Sequence, residues 1–102
     1  MSEMDFVEKL KEEIEVIGRH LRILKIIVEE GPIGIIRLSE ITGLPPHKVR
    51  YSLRVLEENG LIKPSSNGAV TTEKTEEFIN NFRNILNELK LKVEKLEEFV
   101  PR

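Results

Sequence analysis

Residues 38–62, LSEITGLPPHKVRYSLRVLEENGLI, constrain this chain more than any other stretch. Two short segments of apolar periodicity are joined by a tight Gly-Leu-Pro turn. Leu38 and Ile41, with Leu44 just beyond, point to one side before the turn. Val49, Leu53 and Leu56 recur at helical spacing after it and cluster within about 60° at 100° per residue. Two helices held this close share one small core, so the second keeps an outward face. That second segment carries Lys48, Arg50 and Arg54 and no acid before Glu57.

The flanks extend the pattern. Val7, Leu10, Ile14, Ile17, Leu21, Leu24 and Val28 alternate at spacings of three and four, which predicts one long helix over residues 5–30. Asp5 and Glu8 form a plausible capping pair at its start, and Gly31-Pro32 supplies the stop. Ile33 to Ile36 is too short and too β-branched for a helix of its own and reads as a connector with room for one short strand. Arg37 to Thr42 is a short helix, and Gly43 turns the chain. Pro45-Pro46 opens the next helix, which runs to about Asn59 with Gly60 as its C-terminal stop. Leu61–Ser65 and Ala69–Thr71 read as strands joined at Asn67-Gly68, with Pro64 placing the first at a sheet edge. Thr72 caps a last helix reaching about Phe99, striped by Ile79, Phe82, Leu86, Leu89, Val93, Leu96 and Val100. Mid-helix Gly18 is either a weak point or a site of close helix approach. The expected class is mostly α with a small β-hairpin. One domain of 102 residues is expected, divided into a long helix (1–30), a middle segment (31–72) and a second long helix (73–102).

Charge sharpens the middle segment. The net charge is −2. Residues 1–36 hold 8 acids and 5 bases, residues 37–72 hold 3 and 5, and residues 73–102 hold 7 and 6. Only the middle third is net basic. With no cysteine and two lone histidines, neither disulfides nor a standard metal site is implied. No Gly-rich phosphate loop, paired metal-binding histidines or nucleophile with a base is present, so no catalytic residue and no cofactor is expected. The acidic N-terminus and short apolar runs predict a soluble cytoplasmic protein without a membrane partner. Seventeen Glu against one Asp, with abundant Lys, Arg and Ile, resembles the composition of hyperthermophile, and so archaeal, proteins.

The order helix, short strand, helix, turn, helix, hairpin, helix resembles that of a winged helix-turn-helix domain. GLPPHKVRYSLRVLEENGLI is similar to the recognition-helix signature of prokaryotic winged-helix regulators, with Leu53, Leu56, Glu57, Gly60, Leu61 and Ile62 in its closing positions. VTTEKTEEFI resembles the segment that closes a wing and starts the next helix. The flanking helices are similar in role to those of small archaeal and bacterial repressors of the MarR, ArsR and PadR-like kinds. The wing is shorter and less basic than a MarR-type wing. The resemblance implies a transcriptional regulator that binds double-stranded DNA.

Read with that resemblance, the outward face of the helix over 46–59 assigns the contacts. Arg50 and Arg54 suit base edges, because a guanidinium can grip guanine through two hydrogen bonds. Lys48, Arg37 and Lys63 suit phosphates. His47 and Tyr51 lie on the same outward side, and Ser65, Ser66 and Asn67 form a wing tip within reach of a backbone. A solvated basic face, with Arg54 paired to Glu57 or Glu58, is the plainer alternative for an isolated helix. Val55 projects partly outward, and His20, between stripe positions, reads as ordinary surface.

Both long helices must bury their stripes, and a core of this size cannot cover them. Val7, Leu10, Ile14, Ile17, Leu86, Leu89, Val93 and Leu96 are therefore expected to pair two copies into a homodimer. The alternative is a monomer whose two terminal helices pack on each other. Nothing indicates a small-molecule effector; one would have to bind in the dimer interface or between core and outer helices. A winged helix used for protein–protein contact is the competing function.

Overall fold

A computed structural model describes residues 5–102; Met1 to Met4, assigned above to the N-terminal segment, lie outside the described residues. Helix α1 spans Asp5–Glu30, as the periodicity predicts. Its buried residues are Ile23, Leu24, Ile26 and Ile27, all in the last two turns. The row that faces the core is Val16, His20, Ile23 and Ile27, set apart from most of the heptad stripe. Leu10, Ile14 and Ile17 are 54%, 60% and 47% exposed, so the N-terminal half of that stripe lies open.

Helix α2 spans Ile35–Thr42 and so begins two residues before Arg37. The β-branched Ile35 and Ile36 are helical after all. A χ1 penalty of a few tenths of a kcal/mol is small beside the burial that Ile35 gains against the core. Of the connector, Ile33 makes the strand-like contact, bridging Ala69 through Ile33 N–H to Ala69 O (3.2 Å) and Ala69 N–H to Ile33 O (2.8 Å). The turn after α2 is well tied. The Thr42 hydroxyl donates to Leu38 O (2.7 Å) and accepts from Leu44 N–H (3.2 Å), while Arg22 donates to Thr42 O (3.3 Å).

Helix α3 spans Pro46–Glu58 with proline at its first position, where no N–H is needed. It ends in a Schellman motif: Leu61 N–H donates to Leu56 O (3.0 Å) and Gly60 N–H to Glu57 O (2.9 Å). Gly60 has φ +72°, the left-handed conformation this motif requires, and buried Leu61 and Leu56 supply its apolar contact.

Strands β1 (Ile62–Ser65) and β2 (Gly68–Thr71) pair antiparallel with Ser65 opposite Gly68. The hairpin loop is therefore Ser66-Asn67, not Asn67-Gly68, and among the described residues no residue other than glycine has positive φ. Gly68 is needed for another reason. It has φ +122°, and a Cβ there would collide with the carbonyl carbon of Ile33. The hairpin thus presses directly on the strand-like residue between α1 and α2. Pro64 sits opposite Ala69, whose N–H and C=O are both used by Ile33, so a residue without an N–H costs the ladder nothing there.

Helix α4 spans Thr75–Lys95 and closes with a 3-10 turn at Leu96–Phe99. Thr72 is not its cap; that position is Lys74, with no side-chain cap bond. Two threonine hydroxyls instead fasten the start of α4 to the end of α3. Thr72 Oγ1 donates to Gly60 O (2.6 Å) and accepts from Lys74 N–H (3.1 Å). Thr75 Oγ1 donates to Leu61 O (2.7 Å) and accepts from Thr72 N–H (3.0 Å). Burial of Thr75 makes these bonds obligatory. Phe78, Ile79 and Phe82 are half-buried, and every residue of α4 from Arg83 onward is exposed.

The core gathers the end of α1, Ile33, Leu38, Val49, Leu56, Leu61 and Ile62. The two long helices do not pack along their stripes, which excludes the intramolecular hairpin in this chain. The result is a molecule of 57 × 32 × 21 Å with a radius of gyration of 16.4 Å, where a compact chain of this length would have about 13 Å.

Candidate nucleic-acid interface

On α3 the fully buried positions are Val49 and Ser52, with Leu56 at 4% and Leu53 only half-buried. The inward face is therefore centred on Val49, Ser52 and Leu56, and Leu53 packs against the core from its edge, as expected. Opposite this row stand His47, Arg50 and Arg54, all exposed. The paired alternative for Arg54 is not realised. Among the described residues the ion pairs are Lys11–Glu8 and Arg37–Glu40, and neither involves α3. The bases occupy the first two-thirds of α3 and the acids Glu57 and Glu58 its last turn. A helix presented to a groove by its N-terminal part would therefore lead with positive charge.

Arg37 and Arg50, on different helices, line one shallow hollow with Gly34, Ile35, Ile36 and Glu40. The Arg37 guanidinium is 3.5 Å from Glu40 Oε2, with both side chains more than 60% exposed. Such a pair is worth little in water and gives way readily to another anion. Ile36 is 76% exposed beside them. It is a feature the sequence reading missed, and its apolar methyls suit a thymine methyl or a sugar. Val55 is half-buried.

Lys63 lies with Leu53 and Glu57 along the cleft between α3 and the hairpin. At the hairpin tip, Ser65 Oγ donates to Gly68 O (2.6 Å) and accepts from Asn67 N–H (3.3 Å), so it is occupied in closing the turn. The Asn67 side chain and Ser66 are exposed. Lys48 is exposed on the side of α3 that turns towards α1.

Tyr51 stands apart from the basic group. Its ring lies against His20 on α1, with centroids 5.6 Å apart, and beside Val16 and Ile17. His20 is not ordinary surface: its Nδ1 is 2.7 Å from Ser52 Oγ. Burial, aided by the charge of Arg19, holds its pKa below the usual histidine value of 6.5. The signal was present in the spacing. His20, Ile23 and Ile27 follow at three and four, as do Val49, Ser52 and Leu56, so a polar residue occupies one core slot on each helix.

Residues 18–63 match the family described as winged helix-turn-helix DNA-binding. No curated protein sequence matches. Among solved structures, the chain is similar to the activation domain of the phage T4 transcription factor MotA. The TM-score is 0.57 at 22% identity, over 72% of this chain and 78% of that one. That likeness supports the fold. No helix among the described residues is long and apolar enough to cross a membrane.

Proposed function

With a winged helix-turn-helix domain over residues 18–63 as the premise, we propose that this chain is a homodimeric, sequence-specific DNA-binding transcription regulator that places α3 in a major groove. The observation that carries the reading is the outward face of α3. His47, Arg50 and Arg54 project from it without an internal ion pair, on a helix fastened at both ends to a dense core. Arg50 and Arg54 read base edges. Arg37, Lys48 and Lys63 hold phosphates on either side, and His47 and Asn67 add backbone contacts from the helix start and the wing tip. Tyr51 acts at one remove, setting the lean of α3 on α1.

Two copies pair through the stripe of α1 (half-buried Val7 with exposed Leu10, Ile14 and Ile17) and the exposed stripe of α4 and its closing turn (Leu86, Leu89, Val93, Leu96). The pair offers two α3 helices to successive major grooves about 34 Å apart on a two-fold site. The experiment is fluorescence anisotropy with fragments of the source genome and random duplexes across a salt series. Binding that weakens steeply with salt and favours particular fragments supports the reading. No binding to any duplex at low salt overturns it.

The second reading, a winged helix that contacts protein, is favoured by one observation. The similar solved structure is the activation domain of a transcription factor. The net charge of −2 of this chain is compatible with either use.

A further inference from the structure

The exposed stripe of α4 has an internal arithmetic. Its residues alternate as Ile79, Phe82, Leu86, Leu89, Val93 and Leu96. If a second α4 runs alongside in the opposite direction, each stripe residue meets the partner residue whose number sums with its own to the same total. Ile79 then meets the partner's Leu96, Phe82 meets the partner's Val93, and Leu86 meets the partner's Leu89. All six helical positions are used; Val100, the seventh residue of the pattern, lies past the last helical turn with extended backbone and takes no part. A helix seam that is complementary to itself under a two-fold axis is what an isologous dimer requires.

The surroundings agree with that register. Ile79 opens on a groove between α1 and α4 that is lined by Leu21, Leu24 and Val28, with Lys25, Arg83 and Glu29 at its rim. The segment that antiparallel pairing brings there is the partner's C-terminal turn, which carries Leu96 among Glu94, Lys95, Glu97 and Glu98. Apolar meets apolar, and a rim with two bases to one acid meets a turn with three acids to one base. Helical side chains tilt towards their own N-terminus, so Arg83 and the partner's Glu97 lean towards each other across the seam. Nothing among the described residues covers the stripe: Leu86, Leu89, Val93 and Leu96 are 39%, 47%, 59% and 53% exposed.

We propose that a second copy of this chain occupies the α4 stripe antiparallel, with the axis between residues 87 and 88, and that its C-terminal turn seats in the groove at Ile79. The proposal rests on the homodimer reading and specifies its geometry.

The absence of native cysteine makes the test clean. Residues 79 and 96 of one chain are about 26 Å apart along the helix, too far for an internal disulfide. Under mild oxidation the Ile79→Cys/Leu96→Cys double variant forms a covalent dimer, while Leu96→Cys alone does not. Charge adds a second arm: Arg83→Glu weakens the dimer by roughly tenfold and Glu97→Arg restores it. Cross-linking of Leu96→Cys alone, which signals parallel helices, overturns the arrangement. So does failure of the double variant to cross-link while light scattering still shows a dimer. A monomeric wild-type mass at micromolar concentration overturns the dimer reading itself.

Discussion

The imidazole Nδ1 of His20 and the hydroxyl of Ser52 stand 2.7 Å apart, and this contact joins the core-facing side of α1 to the buried side of α3. Ser52 is fully buried, so its hydroxyl must be paired. In the neutral ring with its proton on Nε2, the Ser52 hydroxyl donates to Nδ1. The helix that carries Arg50 and Arg54 is thus positioned by a polar bond as well as by Val49 and Leu56.

This bond predicts a pH dependence. Burial first, and then Arg19, lower the His20 pKa from 6.5 in the folded chain. Between the folded and unfolded values the unfolded chain binds more protons, so stability rises with pH there. The contribution is fully present above pH 6.5 and is lost as pH falls from there through the folded value. Urea melts between pH 7.5 and 5.5 should show this slope in wild type and its reduction in His20→Asn. At pH 7.5, His20→Ala should cost about 1–3 kcal/mol by stranding the Ser52 hydroxyl, and Ser52→Ala should cost less. Equal slopes in wild type and variant would remove His20 from the acid response.

The DNA face predicts a separation of binding from stability. Arg50 and Arg54 are exposed and unpaired among the described residues, so replacing both with alanine should leave the melting temperature within a degree or two. The same double variant should lose preference for its specific fragment, since each bidentate base contact contributes about 1–3 kcal/mol of discrimination. Lys63→Ala should act differently. It should weaken specific and random duplexes alike and lower the salt slope by about 1. Unchanged specific binding by the Arg50→Ala/Arg54→Ala variant would end the assignment of α3 as the reading helix.

Much of this was legible from local chemistry, and the misses share one cause. The bounds of α1, the turn at Gly43, the proline start of α3 and its glycine stop each depend on residues adjacent in sequence. Propensity alone ends α2 short of its two isoleucines, while tertiary burial of Ile35 extends it. The sequence next to Thr72 suggests a cap, but its hydroxyl donates to Gly60 O, twelve residues away. His20 and Ser52 are polar yet face each other in the core, which polarity by itself does not reveal. The basic face of α3 was visible; the hollow that brings Arg37 to Arg50 needed the fold.

The hairpin makes a sharper prediction about glycine. Gly68→Ala places a Cβ against Ile33 backbone at a φ that L-residues rarely adopt, so it should destabilise by about 2 kcal/mol or more. Gly18 is the internal control. It sits within α1 with nothing inside 4 Å of an added Cβ, so Gly18→Ala should stabilise by about 1 kcal/mol. Guanidinium denaturation of the two variants side by side measures both signs. A neutral Gly68→Ala would mean that the hairpin is free to move away from Ile33.

Pairing two copies should matter more for DNA affinity than for the fold of each. Leu89 is nearly half exposed in the single chain, so Leu89→Glu should leave the helical content and the core intact. It would bury two carboxylates near the seam of a dimer, at a cost that separates the copies. A monomer still presents one α3 and should bind a half-site about as well as wild type does. On a full two-fold site the second engagement of wild type is intramolecular, and its loss should lower affinity by roughly 10²–10⁴. Anisotropy on half-site and full-site duplexes, with light scattering of each protein, reads all of these quantities. Equal affinity of monomer and dimer for the full site would show that the two reading helices do not engage it together, and spacing of half-sites by one helical turn would lose its basis.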